Sequence, residues 1–483
     1  MDLIDATAAA AAVARGQVSS RKLVDDLLHR IEASTTNAVI TVDPEAARRQ
    51  ADACDASVRS GERLGPLHGV PMTLKDAWAV RGLRSTSGLP EYAEDVPADD
   101  AVAVARLRAA GAVIVGKTNV PPGITGQETA NSLFGRTVNP WNRDRTPGGS
   151  SGGAAAALAE QLTWLELGSD SGGSIRQPAH CCGVYGHVPT HGVVPLRGHR
   201  PQVPFEHVGK DVDLMTAGPL ARSARDLALA LDVVAGDDPA IAGGMRFDLP
   251  PGRVGNQLRG ARVAVWLDDA FCPTDRAVLD RLRAVADAVA AAGADVQDAR
   301  PTFALEETWD VAFPLWVASS SARTDDDEMK RLRDERDRDG HIGMRARAET
   351  MDHRDWLRLD EHRHDLQRRW TAMLADVDVL LCPVIPVTAP VHDDVGDLDE
   401  IASVDRRMAL TITVNGEQRP YLDQLTWNIA TGLAGLPVTI APAGLAADDM
   451  PVGVAIVGDR YADRTTIAFA QALAELIPPP KLR

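Results

Sequence analysis

The sequence is poor in aromatic residues and in cysteine, and it has no long uncharged apolar run. Aromatic residues make up 4% of its 483 residues, and the five cysteines show no regular spacing. Sparse cysteines in odd number argue against a disulfide framework and favour a reducing compartment. No run reaches the roughly 18 apolar residues that span a bilayer, and Asp2 and Asp5 stand where a secretion signal carries Lys or Arg. We therefore expect a cytoplasmic protein without a membrane anchor.

Positive charge is also scarce relative to negative charge, since the formal net charge is −17. An acidic surface repels phosphate backbones and anionic lipid, which argues against nucleic-acid and membrane partners. The balance of 45% hydrophobic and 25% charged residues is typical of a soluble globular protein. The expected partner is a small molecule, and the expected assembly is a monomer or homodimer.

Helices and strands are predicted to alternate along the chain. Leu23, Leu27 and Ile31 recur at helical spacing, and short apolar runs bounded by Gly and Pro predict strands. The predicted helices are 5–15, 20–33 (capped by Ser20), 44–59, 100–110, 223–235, 275–292 and a C-terminal Ala-rich helix. The predicted strands are 70–74, 112–115, 163–167, 262–266, 377–381 and two apolar runs near the C-terminus. This alternation favours an α/β fold with a mixed, twisted central sheet flanked by helices.

Neither an internal repeat nor a long linker divides the chain, so we expect one domain over residues 1–483. Within it, 1–62 is predicted to form a helical arm, 63–240 a core and 241–483 the rest of the sheet. The dense charges at about 321–369 are typical of solvated helical faces.

Two motifs match known patterns but lack the surroundings that these patterns need. GAVIVGKT, residues 111–118, fits a phosphate-binding P-loop, yet its variable residues look like a strand. GGSSG, residues 148–152, fits a nucleophile elbow, yet no strand precedes it. Neither nucleotide binding nor a Ser-His-Asp triad is expected.

A cluster of His and Cys residues after position 179 invites a metal interpretation. Adjacent cysteines cannot readily both face one ion, and no CxxC spacing is present. We expect these side chains to pack without a metal, and we expect no cofactor. The cluster comprises His180, Cys181, Cys182, His187 and His191.

Two Gly/Ser-rich turns carry the strongest chemical signal. In GSDSGGSIRQP, residues 168–178, glycines between a strand and a helix expose N–H groups that stabilise an oxyanion, with a serine beside them. An anion-binding loop or a plain turn is the alternative. The second turn is PGGSSGG, residues 147–153. Lys75 ends an apolar strand and can activate a serine only if its pKa falls by about three units; the alternative is an ordinary lysine at the end of a strand, paired with Asp76.

Taken together, these segments closely resemble the signature of the amidase signature family. PGGSSGGAAAALA and ELGSDSGGSIRQPAHCCGVYG carry the resemblance, and HGVPMTLKD, GKTNVPP, NSLFGRTVNPWN, TAGPLARSARDLALAL and AGLPVTIAPAG follow the family order. The resemblance spans about residues 65–470. It implies a Ser–cis-Ser–Lys triad of nucleophile Ser174, proton relay Ser150 and base Lys75, with a cis peptide bond before Ser150. It also implies an oxyanion hole in the 171–174 turn, at Ser171, Gly172 and Gly173.

The resemblance implies hydrolysis of the C–N bond of a linear amide through an acyl-enzyme. Carbamates (urethanes) and esters present the same carbonyl and are alternative substrates, with an apolar or aryl group on one side. The alternative function is that of an amidotransferase A-type glutaminase, which delivers ammonia to a partner. The sequence departs from many members of the family at 186–192, which read GHVPTHG, and from such glutaminases in the run after Pro195.

The substrate pocket is predicted from the same resemblance at Ile124, Thr125, Gly126 and Gln127. An aromatic series at helical spacing either packs in the core or lines an apolar pocket; it comprises Trp309, Phe313 and Trp316. The 196–210 loop is a candidate lid.

Overall fold

Two sheets and the helices around them organise the chain, as seen in a computed structural model. The structure describes residues 5–199, 213–240, 248–255, 257–319, 321, 324–393, 396–398, 400 and 403–482. The helices are α1 (Ala6–Ala14), α2 (Ser20–Ala33), α3 (Pro44–Ser60), α4 (Val102–Ala109), α5 (Gly152–Ala159), α6 (Arg176–Cys182), α7 (Ala224–Val234), α8 (Arg276–Ala291), α9 (Leu305–Ala318), α10 (Asp326–Asp334), α11 (Gly340–Glu349), α12 (His353–Leu374), α13 (Val404–Ala409), α14 (Asp423–Leu433) and α15 (Asp463–Leu476). The strands are β1 (Val39–Val42), β2 (Pro71–Lys75), β3 (Val113–Thr118), β4 (Ala130–Asn131), β5 (Gly135–Arg136), β6 (Leu165–Asp170), β7 (Tyr185–Val188), β8 (Thr216–Ala221), β9 (Arg262–Val265), β10 (Asp295–Asp298), β11 (Val379–Pro383), β12 (Thr411–Val414), β13 (Glu417–Pro420), β14 (Val438–Leu445) and β15 (Pro451–Val457).

The central sheet has eight strands in the order β10-β9-β11-β15-β14-β7-β8-β6. Strand β9 pairs in parallel with β10 and β11, whereas the pairs from β11 to β6 are antiparallel. A smaller sheet has the order β1-β3-β2, with β2 and β3 parallel. The predicted α/β fold with a large mixed sheet flanked by helices is confirmed.

The helix starts follow from side chains that accept hydrogen bonds from first-turn amides. Asp43, Ser223 and Asp275 cap α3, α7 and α8 in this way. The prediction that Ser20 caps α2 was wrong by one residue, because Ser19 accepts from the Lys22 amide. The hydroxyl of Ser20 is buried and donates instead to Gly69 O at 2.8 Å, which ties the helical arm to the core.

The segment predicted as solvated helical faces forms α10, α11 and most of α12. Only one face of α12 is buried, through Leu366, Trp370 and Leu374, while ion pairs such as Arg358–Asp355 lie at the surface. Among the described residues, no helix is both long enough and apolar enough to cross a membrane.

Strand β2 of the small sheet packs against β6 at the edge of the large one, and polar contacts fix this arrangement. The Thr73 amide donates to Thr163 Oγ1 at 2.9 Å, and the Thr73 hydroxyl donates to Glu166 at 2.5 Å. Two residues beyond Thr73, Lys75 reaches Ser169 of β6 in the same interior space. The motif GAVIVGKT forms strand β3 at Val113–Thr118, as its apolar residues predict, and not a phosphate-binding loop.

Candidate active site

Lys75 ends strand β2 with a fully buried side chain. Its Nζ lies 2.7 Å from Ser150 Oγ, 3.1 Å from Ser169 Oγ and 3.2 Å from Ser169 O. Burial lowers the pKa of Lys75 from its usual 10.5 to about 7, although the charges of Asp170 and Glu166 oppose that fall. A neutral amine has two N–H groups and one lone pair. It satisfies these partners if one hydroxyl donates to the lone pair.

The carboxylates around Lys75 are engaged elsewhere. Asp170 forms a buried ion pair with Arg176 at 2.6 Å, and the Arg176 charge with further hydrogen bonds holds the pKa of Asp170 below its usual value against desolvation. Burial raises the pKa of Glu166 to about 7. In the part of the chain that the structure describes, Lys75 forms no ion pair. Lys75 therefore lacks a direct ionic partner that would hold its charge, although the carboxylates of Asp170 and Glu166 act on it without contact.

The alternative pairing of Lys75 with Asp76 does not form. Asp76 is the first residue after β2, and its carboxylate lies against Lys117. The Lys117 Nζ donates to Asp76 Oδ1 at 2.9 Å, and Thr86 donates to the same carboxylate. Two fully buried lysines thus lie close in the fold, one beside a carboxylate and one beside hydroxyls.

The Gly/Ser turn at 147–153 places Ser150 against Lys75. The Gly149–Ser150 peptide bond is cis, as the resemblance implies, and Ser150 is buried. A Cβ on Gly149 would lie 2.5 Å from Gly126 O, so only glycine allows the turn to pack this closely on residues 126–127. The helix α5 begins two residues after Ser150 and fixes the direction of the turn.

The Gly/Ser turn that follows β6 is organised around the Asp170 carboxylate. It accepts hydrogen bonds from the amides of Gly173 (2.8 Å) and Ile175 (2.9 Å), which bends the chain tightly after β6. Gly173 has a φ of +118°, a conformation that side-chain-bearing residues rarely adopt. Ser174 is half-buried, and its carbonyl accepts from the Ser151 amide at 3.2 Å, which joins the two turns directly.

The amides of the turn after β6 differ in their partners. The Gly173 amide donates to Asp170, so its predicted part as a direct donor in an oxyanion hole stays a prediction. Within the described ranges, the amides of Ser171, Gly172 and Ser174 have no acceptor, and the Ser174 hydroxyl forms no hydrogen bond. Half exposure and unengaged groups leave this turn accessible to a carbonyl compound.

Residues 126–127 lie beside the cis peptide bond, as their packing on Gly149 shows. Gln127 is 6% exposed, and its Oε1 finds no hydrogen-bond donor among the described residues. Ile124 is buried and has a φ of +54°, while Thr125 Oγ1 donates to Gly123 O at 3.2 Å. Of the four predicted pocket residues, Gly126 and Gln127 thus lie beside the Gly149–Ser150 bond; the contact of all four with substrate stays a prediction.

The aromatic series of α9 is divided between the core and the turn after β6, and its contact with substrate stays a prediction. Phe313 is buried in the core and stacks on Trp309 with ring centroids 4.7 Å apart. Trp316 is half-buried and covers the turn after β6: its indole N–H donates to Ser171 Oγ at 3.1 Å, and its ring lies 3.3 Å from where a Cβ on Gly172 would stand. Trp316 is therefore a wall beside Ser174.

Sequence reasoning missed Ser169 and His199. His199 Nε2 lies 2.8 Å from Ser169 Oγ, and its ring meets Trp78 edge-on at 4.7 Å. The motif SDSGGS begins with Ser169, which lies near the end of β6 just before the turn. The motif therefore contained a signal for this residue. No local sequence pattern marks His199, because it is distant from Ser169 along the chain and approaches it only in the folded structure. The rest of the candidate lid, residues 200–210, lies outside the described residues.

The His and Cys cluster after position 179 engages protein groups. His180 accepts from the Gly453 amide at 3.1 Å and contacts Val387 O, and His187 contacts Asp463 and Thr439. Cys181 and Cys182 are buried, free thiols. Among the residues described, no three His, Cys, Asp or Glu side chains are placed to hold a metal ion.

Comparison with known proteins gives consistent matches over nearly the whole chain. A family model described as Amidase matches residues 22–467. The A-type chain of glutamyl-tRNA(Gln) amidotransferase from Roseiflexus sp. (strain RS-1) is 33% identical, over 95% of this chain and 94% of that protein. An acylamidase of Rhodococcus erythropolis is also 33% identical, over 97% of this chain and 94% of that protein. A solved bacterial aryl acylamidase of the amidase signature family superposes with a TM-score of 0.80 at 26% identity, covering 98% of this chain and 96% of that chain.

Proposed function

This chain belongs to the amidase signature family, and from that premise we propose that it hydrolyses linear amides through an acyl-enzyme on Ser174. Membership makes it an amidase-family C–N hydrolase; the nucleophile, relay and substrate are our proposal. The observation that carries it is the 2.7 Å contact between Ser150 Oγ and a buried lysine whose neighbouring carboxylates are otherwise engaged. A base on a relay serine is what a weak serine nucleophile needs.

The proposed reaction moves one proton back and forth along Ser174, Ser150 and Lys75. As Ser174 Oγ attacks the carbonyl carbon, its proton passes to Ser150 and the Ser150 proton passes to neutral Lys75. The C–N bond then breaks, and the Lys75 proton returns through Ser150 to the leaving nitrogen, which departs as the amine. Water then attacks the acyl carbon while one of its protons passes through Ser150 to Lys75. That proton returns through Ser150 to Ser174 Oγ as the bond between Ser174 Oγ and the acyl carbon breaks and the acid leaves.

The negative charge of the tetrahedral intermediate is proposed to rest on the turn after β6. The unengaged amides of Ser171, Gly172 and Ser174 supply donors, and Asp170 holds the turn in shape through the Gly173 and Ile175 amides. Donors fixed before the reaction stabilise developing charge without reorganisation; removal of one such donor typically costs about 10²–10³ in kcat.

The proposed substrate carries an apolar or aryl group. Trp316 lies against the turn that holds Ser174 and contributes apolar surface, and residues 126–127 lie against the turn that holds Ser150. Amides are the default substrate; carbamates and esters are further proposals because their carbonyl is attacked in the same way. Amide, carbamate and ester chromogens with one shared aryl leaving group test this, and failure to hydrolyse any of them would contradict it.

Trp316→Ala is expected to lower kcat/KM for an aryl amide by more than about tenfold while changing that for acetamide by less than about threefold, since contact of an aryl ring with an aromatic wall contributes about 1.5 kcal/mol. Trp316→Phe keeps the ring and loses the hydrogen bond to Ser171. It should retain most of the aryl preference. Equal losses for both substrates in Trp316→Ala would show that Trp316 only supports the turn.

The pH dependence of kcat/KM should report the base. Protonated Lys75 cannot accept a proton, so kcat/KM is expected to fall about tenfold per unit as pH decreases below about 7, and to level off above it. Steady-state kinetics at low substrate concentration from about pH 5 to 9 measure this. A profile still rising between about pH 8 and 10 would mean that Lys75 keeps its ordinary pKa.

The second candidate is a glutaminase that feeds ammonia to a partner, favoured by the match to the amidotransferase A-type chain at 33% identity. An acylamidase matches equally well, so identity does not separate the two. Glutamine hydrolysis together with a stable partner protein in native purification would support the glutaminase. Hydrolysis of aryl amides by the isolated chain would support the amidase.

A further inference from the structure

A cleft of about 910 Å³ lies between the helical arm, the start of α7 and the C-terminal segment 479–482. We name it the arm cleft. Its volume is within the range of small-molecule sites. Its lining residues of interest are Arg30, Trp164, Tyr185, Arg222, Glu475 and Lys481.

Three N–H donors in the arm cleft have no acceptor. The Nε atoms of Arg30 and Arg222 and the indole Nε1 of Trp164 are buried and make no hydrogen bond within the described chain. The guanidinium of Arg222 lies over the Trp164 ring at 4.7 Å. The terminal nitrogens of Arg30 and Arg222 also have no acceptor among the described residues, so two guanidinium groups of one cleft lining are left for a ligand with acceptor oxygens.

The charges of the arm cleft favour an anion. Asp5 pairs with Arg225 and Asp26 pairs with Lys22, while Arg30 and Arg222 form no ion pair in the described residues. Lys481 adds a third cation to the lining, and Glu475 adds one exposed carboxylate.

Burial lowers the pKa of Arg222, and the charge of Arg30 lowers it further, whereas Asp226 and Asp5 oppose the fall. Burial also lowers the pKa of Arg30, against the charge of Asp26. Two guanidinium groups that repel each other in a partly desolvated cleft are stabilised by an anion between them.

The arm cleft is separate from the candidate active site. Trp164 precedes strand β6 and Ser171 follows it, so the six residues of β6 separate the two sites by about 20 Å at about 3.3 Å per residue. The residues proposed for catalysis do not line the cleft.

We propose that the arm cleft binds a small organic anion, whose carboxylate or phosphate group is held by the terminal nitrogens of Arg30 and Arg222. The apolar part of the ligand lies against Leu23 and Trp141, which also line the cleft. Arg222 offers its terminal nitrogens to the oxyanion while the face of its guanidinium stays on the Trp164 ring.

Calorimetric titration with phenyl phosphate, benzoate, inorganic phosphate and benzyl alcohol tests the proposal on the full-length protein. The two organic anions are expected to bind and neutral benzyl alcohol is not. Phenyl phosphate binding better than inorganic phosphate identifies an organic ligand; the reverse order identifies free phosphate as the source of the oxyanion. Arg222→Gln and Arg30→Gln are each expected to raise the Kd for phenyl phosphate at least about tenfold, the loss of one charge-assisted hydrogen bond.

Arg283→Gln is the matched control, because Arg283 is an exposed helical arginine outside the cleft lining and should leave the Kd unchanged. Ser174→Ala should also leave the Kd unchanged, which separates the arm cleft from the active site. Absence of phenyl phosphate binding, or a Kd that both cleft variants leave unaltered, would overturn the proposal. The ligand series is measured on the native protein, and the Kd of each cleft variant is measured separately. Misfolding of one variant therefore does not decide the outcome.

Discussion

Ser174→Ala is expected to reduce aryl-amide turnover by at least about 10⁴-fold and to leave folding intact. The hydroxyl of Ser174 forms no hydrogen bond in the described structure, so its removal orphans no buried group and costs little stability. If Ser174 forms the acyl-enzyme, its loss ends covalent chemistry and leaves only the stabilisation supplied by the turn. Single-turnover kinetics and thermal unfolding of the same preparation measure both effects.

Ser151→Ala is the matched control in the neighbouring turn. Its hydroxyl is buried and has no partner among the described residues, and we expect activity to stay within about tenfold of the native protein. A serine-reactive phosphonate should label the native protein and the Ser151 variant but not the Ser174 variant. Persisting activity in Ser174→Ala, or labelling of that variant, would refute the nucleophile.

Lys75→Met is expected to lower kcat by several orders of magnitude and, at neutral pH, to raise the free energy of unfolding. The folded-state pKa of Lys75 is about 7 and its unfolded value about 10.5, so the unfolded chain binds a proton that the folded chain does not between these pH values. Native stability is therefore reduced at low pH and recovers as pH rises toward 10.5. A shift of this size corresponds to about 4–5 kcal/mol, offset by about 1–3 kcal/mol for the hydrogen bonds to Ser150 and Ser169 that Met cannot make.

Lys117→Met is the contrasting variant, since the residue type, the burial and the substitution are the same. Here the loss leaves Asp76 buried without its cation, and the free energy of unfolding should fall by about 3–5 kcal/mol. Denaturant unfolding at about pH 7 and about pH 10 measures both variants. The stabilising effect of Lys75→Met should shrink at the higher pH. A destabilisation of Lys75→Met equal to that of Lys117→Met would show that Lys75 is charged and paired.

Much of the fold follows from local sequence signals. A short apolar run predicts the strand at Val113–Thr118, and apolar residues at helical spacing predict the helix at Ser20–Ala33. Both elements are confirmed. The cap of α2 was misplaced because Ser19 and Ser20 are equivalent as caps in sequence, and only the tertiary contact of Ser20 with Gly69 separates them. Local patterns also do not determine how eight strands order themselves in the central sheet.

For the candidate site, sequence located the turns but not the reason that Lys75 is chemically distinct. The order Lys75-Asp76 suggests an ion pair, but the pairing of β2 with β3 brings Lys117 to Asp76 instead. The contact of His199 with Ser169 joins residues that no motif relates. Environment, rather than residue type, distinguishes the two buried lysines, and environment is a property of the folded chain.

The titration of Lys75 is the most direct test of a neutral lysine base. The chain has few lysines (Lys22, Lys75, Lys117, Lys210, Lys330 and Lys481), so ¹³Cε-labelled lysine gives a resolvable NMR spectrum, and comparison with Lys75→Met assigns the signal. We predict that the Lys75 signal titrates near pH 7 in the Ser174→Ala protein. A Lys75 signal that stays in its ammonium position up to about pH 9 would contradict the account.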